Sequence, residues 1–278
     1  MGNIVWLASY PKSGNTWVRA FLANLIANRA TPVPLAELPR YGASESDPEL
    51  YSRLAGRPST ELSFAELCAL RPQAHAAIAA AAPRTVFVKT HSMAGVFEGV
   101  PLHNPSVSAG AIYVVRNPLD VVVSMAHHFA LSLDAAIDYL GDERAATENS
   151  ALFTSEFLGS WSQHVRSWAQ FAGPRILVLR YEDLLDKPLK NFARIARLIG
   201  LDGDRTRLER AIHHASFDAL AAMERRDGFV EAAAKDRRFF RAGRANQWRE
   251  ALSRDQVRRI IAAHREEMAR WQYLPAGY

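Results

Sequence analysis

The sequence predicts an α/β fold: a single domain with a central twisted parallel sheet flanked by helices. Three observations carry this. Four short apolar runs, at residues 4–9, 85–89, 111–115 and 176–180, are rich in Val, Ile and aromatics and lack clean apolar–polar alternation. Strands covered on both faces have that pattern. The first, third and fourth runs lead into helical segments at 15–28, 119–129 and 189–199, and alternating strands and helices imply a parallel sheet. No Gly/Ser-rich linker divides the 278 residues, which at 49% hydrophobic suffice for one large core.

The elements follow in order. Pro118 and Pro188 stand where the first turn of a helix tolerates proline, and Gly200 is a helix stop. The alanine-rich run 75–82 reads as helix on propensity. Residues 30–58, rich in Pro, Gly, Ser and charge, read as an irregular excursion, and 135–168 as helical insertions. Segments 30–60, 130–168 and 223–244 are expected to be acceptor or lid insertions within the domain, because ligands of α/β folds bind at the carboxyl ends of strands.

Formal net charge is +5, and the sequence pI is near 9.5. A basic balance suits nucleic acid, an acidic membrane surface or an anionic ligand, and is equally that of an arginine-rich surface with no particular partner. The lone Cys68 excludes an internal disulfide and a multi-cysteine zinc site, fits a reducing compartment, and reads as a core residue. The first residues lack the basic and long apolar regions of a secretory signal, and no segment approaches the ~20 apolar residues of a membrane helix. A cytoplasmic protein with no membrane span is expected.

The first strand ends in Ser9-Tyr10-Pro11-Lys12-Ser13-Gly14-Asn15-Thr16-Trp17. A tight turn between a buried strand and a helix points backbone N–H groups and the helix dipole at an anion. Lys12 adds charge; Ser13 and Thr16 add hydroxyls. Lys12 precedes Gly14, unlike the nucleotide-triphosphatase loop, which disfavours ATPase chemistry. By itself the segment is also compatible with an ordinary strand-to-helix turn. The third strand delivers Arg116-Asn117-Pro118, with Ser124 eight residues after Arg116. Arg116 at a strand end can fork onto a phosphate, and Ser124 can add a hydroxyl from the following helix; alone, this is also the start of a capped helix.

Taken together and in order, these segments resemble the cytosolic-type sulfotransferases that use 3′-phosphoadenosine 5′-phosphosulfate (PAPS), in a bacterial-type member. Residues 9–17 resemble the family's 5′-phosphosulfate loop, and 113–124 its 3′-phosphate motif. The resemblance runs in patches from Asn3 to about Trp248 and implies the family's nucleoside-triphosphatase-like (P-loop-like) sulfotransferase fold. It implies donor contacts from Lys12, Ser13, Gly14, Asn15, Thr16, Trp17, Arg116, Ser124, Tyr181, Ser216, Phe217, Arg241, Ala242 and Gly243. Trp17 and Tyr181 correspond to residues at the adenine, and Ala215-Ser216-Phe217 to a segment flanking the nucleotide. Lys89-Thr90-His91 resembles the segment whose histidine is general base on the acceptor. Lys12 and Lys89 are then the charges that stabilise the transferring group, the product is adenosine 3′,5′-bisphosphate (PAP), and no metal is expected. Two departures stand out. The family's Arg-Lys-Gly clamp reads Arg241-Ala242-Gly243, and the Gly-Asp-Trp that follows reads Asn246-Gln247-Trp248. The dimerisation segment of many animal members is not recognisable, so oligomeric state stays open, as does compensation by Arg244.

His91 alone would read as a structural histidine; its place after a strand beside Lys89 favours catalysis. Adjacent His127 and His128 point about 100° apart on a helix and do not chelate one ion, though one of them is a candidate to face the acceptor. His213 and His214 read as a partly exposed helix. Trp161 and Trp168, seven apart, read as core. The arginine-dense stretch 225–244 is interspersed with Asp227, Glu231 and Asp236 and reads as a solvated face plus one phosphate clamp, not a nucleic-acid footprint. A small-molecule phosphotransferase, which lacks its triphosphate loop here, and a non-catalytic nucleotide-binding module are the alternatives. The acceptor is expected to be a small or medium phenol or alcohol, given Tyr41, Phe129, Tyr139, Phe153 and Phe229 in the insertions; carbohydrate, peptide natural-product and amine acceptors stay open.

Overall fold

A computed structural model describes residues 3–171, 176–232 and 238–278. Strand β1 (Ile4–Ser9) leads through a turn into α1 (Asn15–Ala27). A 3-10 segment (Leu35–Tyr41), the two-residue strand β2 (Ala43–Ser44), α2 (Pro48–Ala55) and a second 3-10 turn (Ser59–Glu61) precede the long α3 (Phe64–Ala81). Next come β3 (Val86–Thr90), a small hairpin of β4 (Val96–Phe97) and β5 (Val100–Pro101), and β6 (Ser108–Val115). The chain continues through α4 (Pro118–Phe129), α5 (Leu133–Gly141), α6 (Trp161–Ala169) and β7 (Ile176–Arg180). Helices α7 (Tyr181–Asp186), α8 (Pro188–Leu198), α9 (Arg205–His214), α10 (Phe217–Asp227), α11 (Trp248–Ala251) and α12 (Arg254–Arg270) complete it.

The fold is α/β, a central parallel sheet flanked by helices, with strand order β2-β3-β1-β6-β7. Register is set by Ile4 opposite Val86 and Ala8 opposite Thr90, with Ala43 opposite Val88 on the other side of β3. Ile4, Trp6, Val88, Ile112 and Tyr113 are inaccessible to solvent, which explains why these strands do not alternate.

The chain forms two compact units interleaved in sequence. One comprises Met1–Tyr10, Gly42–Tyr113 and Gly141–Val178; the other comprises Pro11–Tyr41, Val114–Leu140 and Leu179–Tyr278. Two of the crossings fall inside β6 and β7, so no linker composition marks them. In the first unit, α2 packs on α3 around the buried Leu50, Tyr51 and Leu67. In the second, α1 packs on α9, α8 on α9, and α4 on α11 and α12. The rings of Trp17, Phe21 and Phe192 meet there at 4.3–5.3 Å.

Three expectations need correction. Residues 30–58 are not irregular throughout: they hold β2, and α2 capped by the Asp47 carboxylate with Pro48 in its first turn. A two-residue strand carries no readable period. Segment 142–160, expected within a helical insertion, forms neither helix nor strand between α5 and α6 and has only Ala146 bridging Phe157. Strand β6 begins three residues early, at Ser108-Ala109-Gly110, whose residues have weak strand propensity. His213 is exposed and its neighbour His214 buried, the partly exposed helix expected. Cys68, Trp161 and Trp168 are buried core residues as read.

Candidate active site

In the second unit, the turn after β1 is held by two left-handed residues, Lys12 (φ 64°) and Gly14 (φ 104°). Glycine is required at 14: a Cβ there would stand 2.8 Å from Tyr181 Cδ2. Because Gly14 occupies the N-cap, α1 opens with no side-chain cap and no acidic residue in its first turn. Its leading N–H groups are therefore anion-receptive. Ser13 is buried, and its hydroxyl has no hydrogen-bond partner among the described residues. Asn15 is buried in the same turn. Thr16 donates to the Glu231 carboxylate at 3.3 Å, and Arg19 pairs with the same carboxylate at 2.5 Å. Lys12 Nζ lies 3.8 Å from the centroid of Phe239. The Glu231 carboxylate thus rests on a hydroxyl in the first turn of α1, its charge met by Arg19.

Arg116 follows β6 and donates to the Lys12 carbonyl at 2.9 Å and the Arg244 carbonyl at 3.5 Å. Its guanidinium stands 4.4 Å over the Tyr181 ring, whose edge meets Trp17 at 5.6 Å. Arg241 is held below the usual arginine range, first by burial and then by the charges of Arg116 and Arg244. Cations crowded in this way are relieved by an anion. Gly243 (φ 57°) lies against Phe217, so close that a Cβ would fall 2.2 Å from its Cγ. This contact joins Arg241-Ala242-Gly243 to Ser216-Phe217, where Ser216 also caps α10 through the Ala219 N–H. Asp120 on α4 accepts the N–H of Asn246 at 2.7 Å and of Trp248 at 3.1 Å, tying the C-terminal segment down. Asn246 is itself left-handed, at φ 64°. Ser124 is half-buried on α4. His128 packs its ring on Phe129 and Phe239, at 4.7 and 5.6 Å.

Lys89 and His91 belong to the first unit. His91 Nδ1 lies 2.7 Å from the Ser9 carbonyl. A carbonyl only accepts, so Nδ1 carries the proton and the neutral ring bears its lone pair on Nε2. The backbone of His91 is gripped on both sides: its N–H donates to Glu156 Oε1 at 2.6 Å, and its carbonyl accepts from His164 Nε2 at 2.9 Å. His164 then takes the Tyr113 hydroxyl proton on Nδ1, at 3.0 Å. Burial pushes its pKa down to about 3, so it stays neutral. Thr90 donates to Glu45 at 2.6 Å and accepts the Ser92 N–H at 3.0 Å. Burial alone would raise the Glu45 carboxyl. Arg71 at 3.3 Å, with His75 and His103, instead holds it well below the usual carboxylate range. Lys89 is nearly buried, its Nζ 5.2 Å from the Phe153 ring.

The expected donor residues thus gather in the second unit, around the end of α1 and the Arg116–Arg241 cluster, while the proposed base lies in the first. Sequence reasoning missed Glu45, Arg71, Glu156 and His164. Of these only His164 left a trace, as a polar residue on the apolar face that Trp161, Val165 and Trp168 define on α6. Residues 233–237 of the third insertion, Asp236 included, lie outside the described residues. Among the described residues no group of three or more His, Cys, Asp or Glu is arranged to hold a metal.

The sulfotransferase domain family matches residues 3–272. Sulfotransferase 1B1 of the dog, Canis lupus familiaris, is 29% identical over 231 residues, covering 77% of this chain and 64% of that protein, less than two thirds of its length. Cytosolic sulfotransferase 14 of Arabidopsis thaliana is 27% identical over 95% of this chain and 75% of its own. In fold, the chain is similar to a retinol dehydratase solved with androsterone and the inactive cofactor PAP. The TM-score is 0.65 at 22% identity, over 96% of this chain and 80% of that one. The chain belongs to the sulfotransferase domain family.

Proposed function

We propose that the chain transfers a sulfuryl group from PAPS to the hydroxyl of a small or medium phenol or alcohol. The observation that carries the reading is the uncapped amino end of α1 beside Lys12, in the same unit as the crowded cations Arg116, Arg241 and Arg244. The 5′-phosphosulfate would rest on Lys12, Ser13, Gly14, Asn15 and Thr16, with the adenine at Trp17 and Tyr181. The 3′-phosphate would rest on Arg116, Ser124 and Arg241, with the Ala242-Gly243 backbone and the Ser216-Phe217 segment flanking the nucleotide. His91 Nε2 takes the acceptor proton as the hydroxyl oxygen attacks sulfur in line. The bond from sulfur to the bridging phosphate oxygen breaks, and PAP leaves with that electron pair. Lys12 offsets the charge growing on that oxygen and Lys89 the charge on the sulfonate; one well-placed donor of this kind contributes about 2.7–4 kcal/mol to lowering the barrier.

An apolar acceptor is supported by the ring cluster Phe64–Phe97–Phe157 in the unit that holds His91, and by the androsterone bound to the solved neighbour. Tyr41, Phe129, Tyr139 and Phe153 add aromatic surface in the insertions. Among the described residues no single helix is long and apolar enough to cross a membrane; a cytoplasmic location is part of the proposal.

Two measurements test it. PAP at 100 times its dissociation constant should raise unfolding free energy by about 2.7 kcal/mol, with ATP and magnesium giving far less. Equal shifts would count against the donor. His91→Ala should keep PAP affinity and lose about 10²–10⁴-fold in turnover; near-normal turnover would remove His91 from the chemistry.

A further inference from the structure

Glu156 is buried, 4% exposed, in the irregular segment between α5 and α6. Backbone bonds hold it on both sides. Its N–H donates to Thr147 Oγ1 at 2.8 Å, and its carbonyl accepts the Thr147 N–H at 2.9 Å. One residue on, the Phe157 carbonyl takes the Met93 N–H at 2.8 Å. Segment 156–157 therefore runs along 91–93 and pairs with it through the backbone at Met93. At His91 the acceptor is the Glu156 carboxylate instead of a carbonyl. A neutral backbone acceptor would have satisfied the same N–H. Burying a carboxyl for that purpose is costly unless its charge is used.

The groups around Glu156 are Glu45 in the loop after β2, Arg71 on α3, Lys89 on β3 and the N–H of His91. Arg71 is engaged elsewhere, facing Glu45 and donating to the Ser155 carbonyl at 2.6 Å. We propose that Glu156 is a positioning residue for the sulfuryl-transfer base: it fixes the His91 amide, and its negative charge strengthens the imidazole as a proton acceptor. An anion hydrogen-bonded to the backbone of the residue that carries the imidazole favours the imidazolium that forms as the acceptor loses its proton. Burial first, and then the charge of Glu45, push the Glu156 carboxyl up to about 7, against the pull of Lys89 and the His91 N–H. Glu156 therefore changes charge in the pH range where imidazoles titrate, and the base gains strength as the pH rises through neutrality.

The inference rests on His91 being the base, and the experiment separates the two. The His91 imidazole is titrated by NMR in the PAP-bound protein, with its signal assigned through His91→Gln, in wild type and in Glu156→Gln. The amide keeps an acceptor for the His91 N–H and loses the charge. The wild-type curve should be biphasic. Glu156→Gln should give one step, with proton affinity about tenfold lower, that is, a midpoint about one unit down. A purely structural role would leave the midpoint in place while lowering Tm. Glu156→Asp should restore part of the shift. An unchanged midpoint in Glu156→Gln overturns the inference even if His91→Ala is inactive. A shifted midpoint with an active His91→Ala would leave the electrostatic coupling standing and overturn the assignment of the base.

Discussion

Replacing Gly243 by alanine tests whether the cationic segment is set by the ring beneath it. The new methyl would stand 2.2 Å from Phe217 Cγ and 2.3 Å from Cδ2. Ordinary contact between carbons is about 3.5–4.0 Å, so ring or segment must move by more than 1 Å. Alanine in the left-handed region costs about 1–2 kcal/mol, and an extra methyl in filled space a further 1–3, or about 2–5 in all. Phe217 begins α10 behind the Ser216 cap, so the 241–244 loop is the part expected to yield. Displacing it would remove the charged hydrogen bond proposed between Arg241 and the 3′-phosphate, worth about 1.5–3 kcal/mol, or roughly tenfold to hundredfold in affinity. Urea unfolding measures the first quantity. Calorimetric titration of PAP against adenosine 5′-monophosphate measures the second, and only PAP should weaken sharply. A variant with unchanged stability and an unchanged preference for PAP would refute the packing argument and the clamp together.

Other outcomes follow from the same contacts. Arg116→Ala should weaken PAP by up to about a hundredfold and adenosine 5′-monophosphate only slightly, by calorimetry; equal losses for both would assign Arg116 to the turn it holds through the Lys12 carbonyl. Ala242→Lys should tighten PAP modestly and slow turnover where product release limits the rate, which pre-steady-state kinetics would resolve. His103 and His164, both held down to about 3 by burial, bind protons in the unfolded chain before the folded one. Their contribution to stability is present above about pH 6.5 and falls as the pH drops towards 3. Each steepens that loss by about 1.4 kcal/mol per pH unit, so His164→Gln should flatten a denaturation series between pH 6.5 and 4.

The legible part of this molecule is the part whose chemistry is local. The strand-turn-helix at Ser9–Trp17 and the Arg116–Pro118 junction each combine a period change with a turn residue, so the fold class and two candidate anion-binding junctions could be read together. Gly243 was matched through the clamp pattern; its left-handed φ and its contact with Phe217 could not be. The surroundings of His91 were not legible either. Glu45 arrives from a stretch whose strand is two residues long, Glu156 from one read as helix, and Arg71 from a helix read only from residue 75 onward. A buried ion network assembled from three separated segments leaves no period in any of them.

Asp120 bears on how the C-terminal segment tolerates change over evolutionary time. It grips the main chain, through the amides of Asn246 and Trp248, and so ignores which side chains those residues carry. Position 246 asks only for a residue at ease at φ 64°, which glycine and asparagine both are. The backbone anchor therefore holds for Asn-Gln-Trp as it would for Gly-Asp-Trp, while the Gln247 side chain makes contacts of its own, with Arg241 and the Arg244 carbonyl. The anchor itself is Asp120, more than a hundred positions away in sequence.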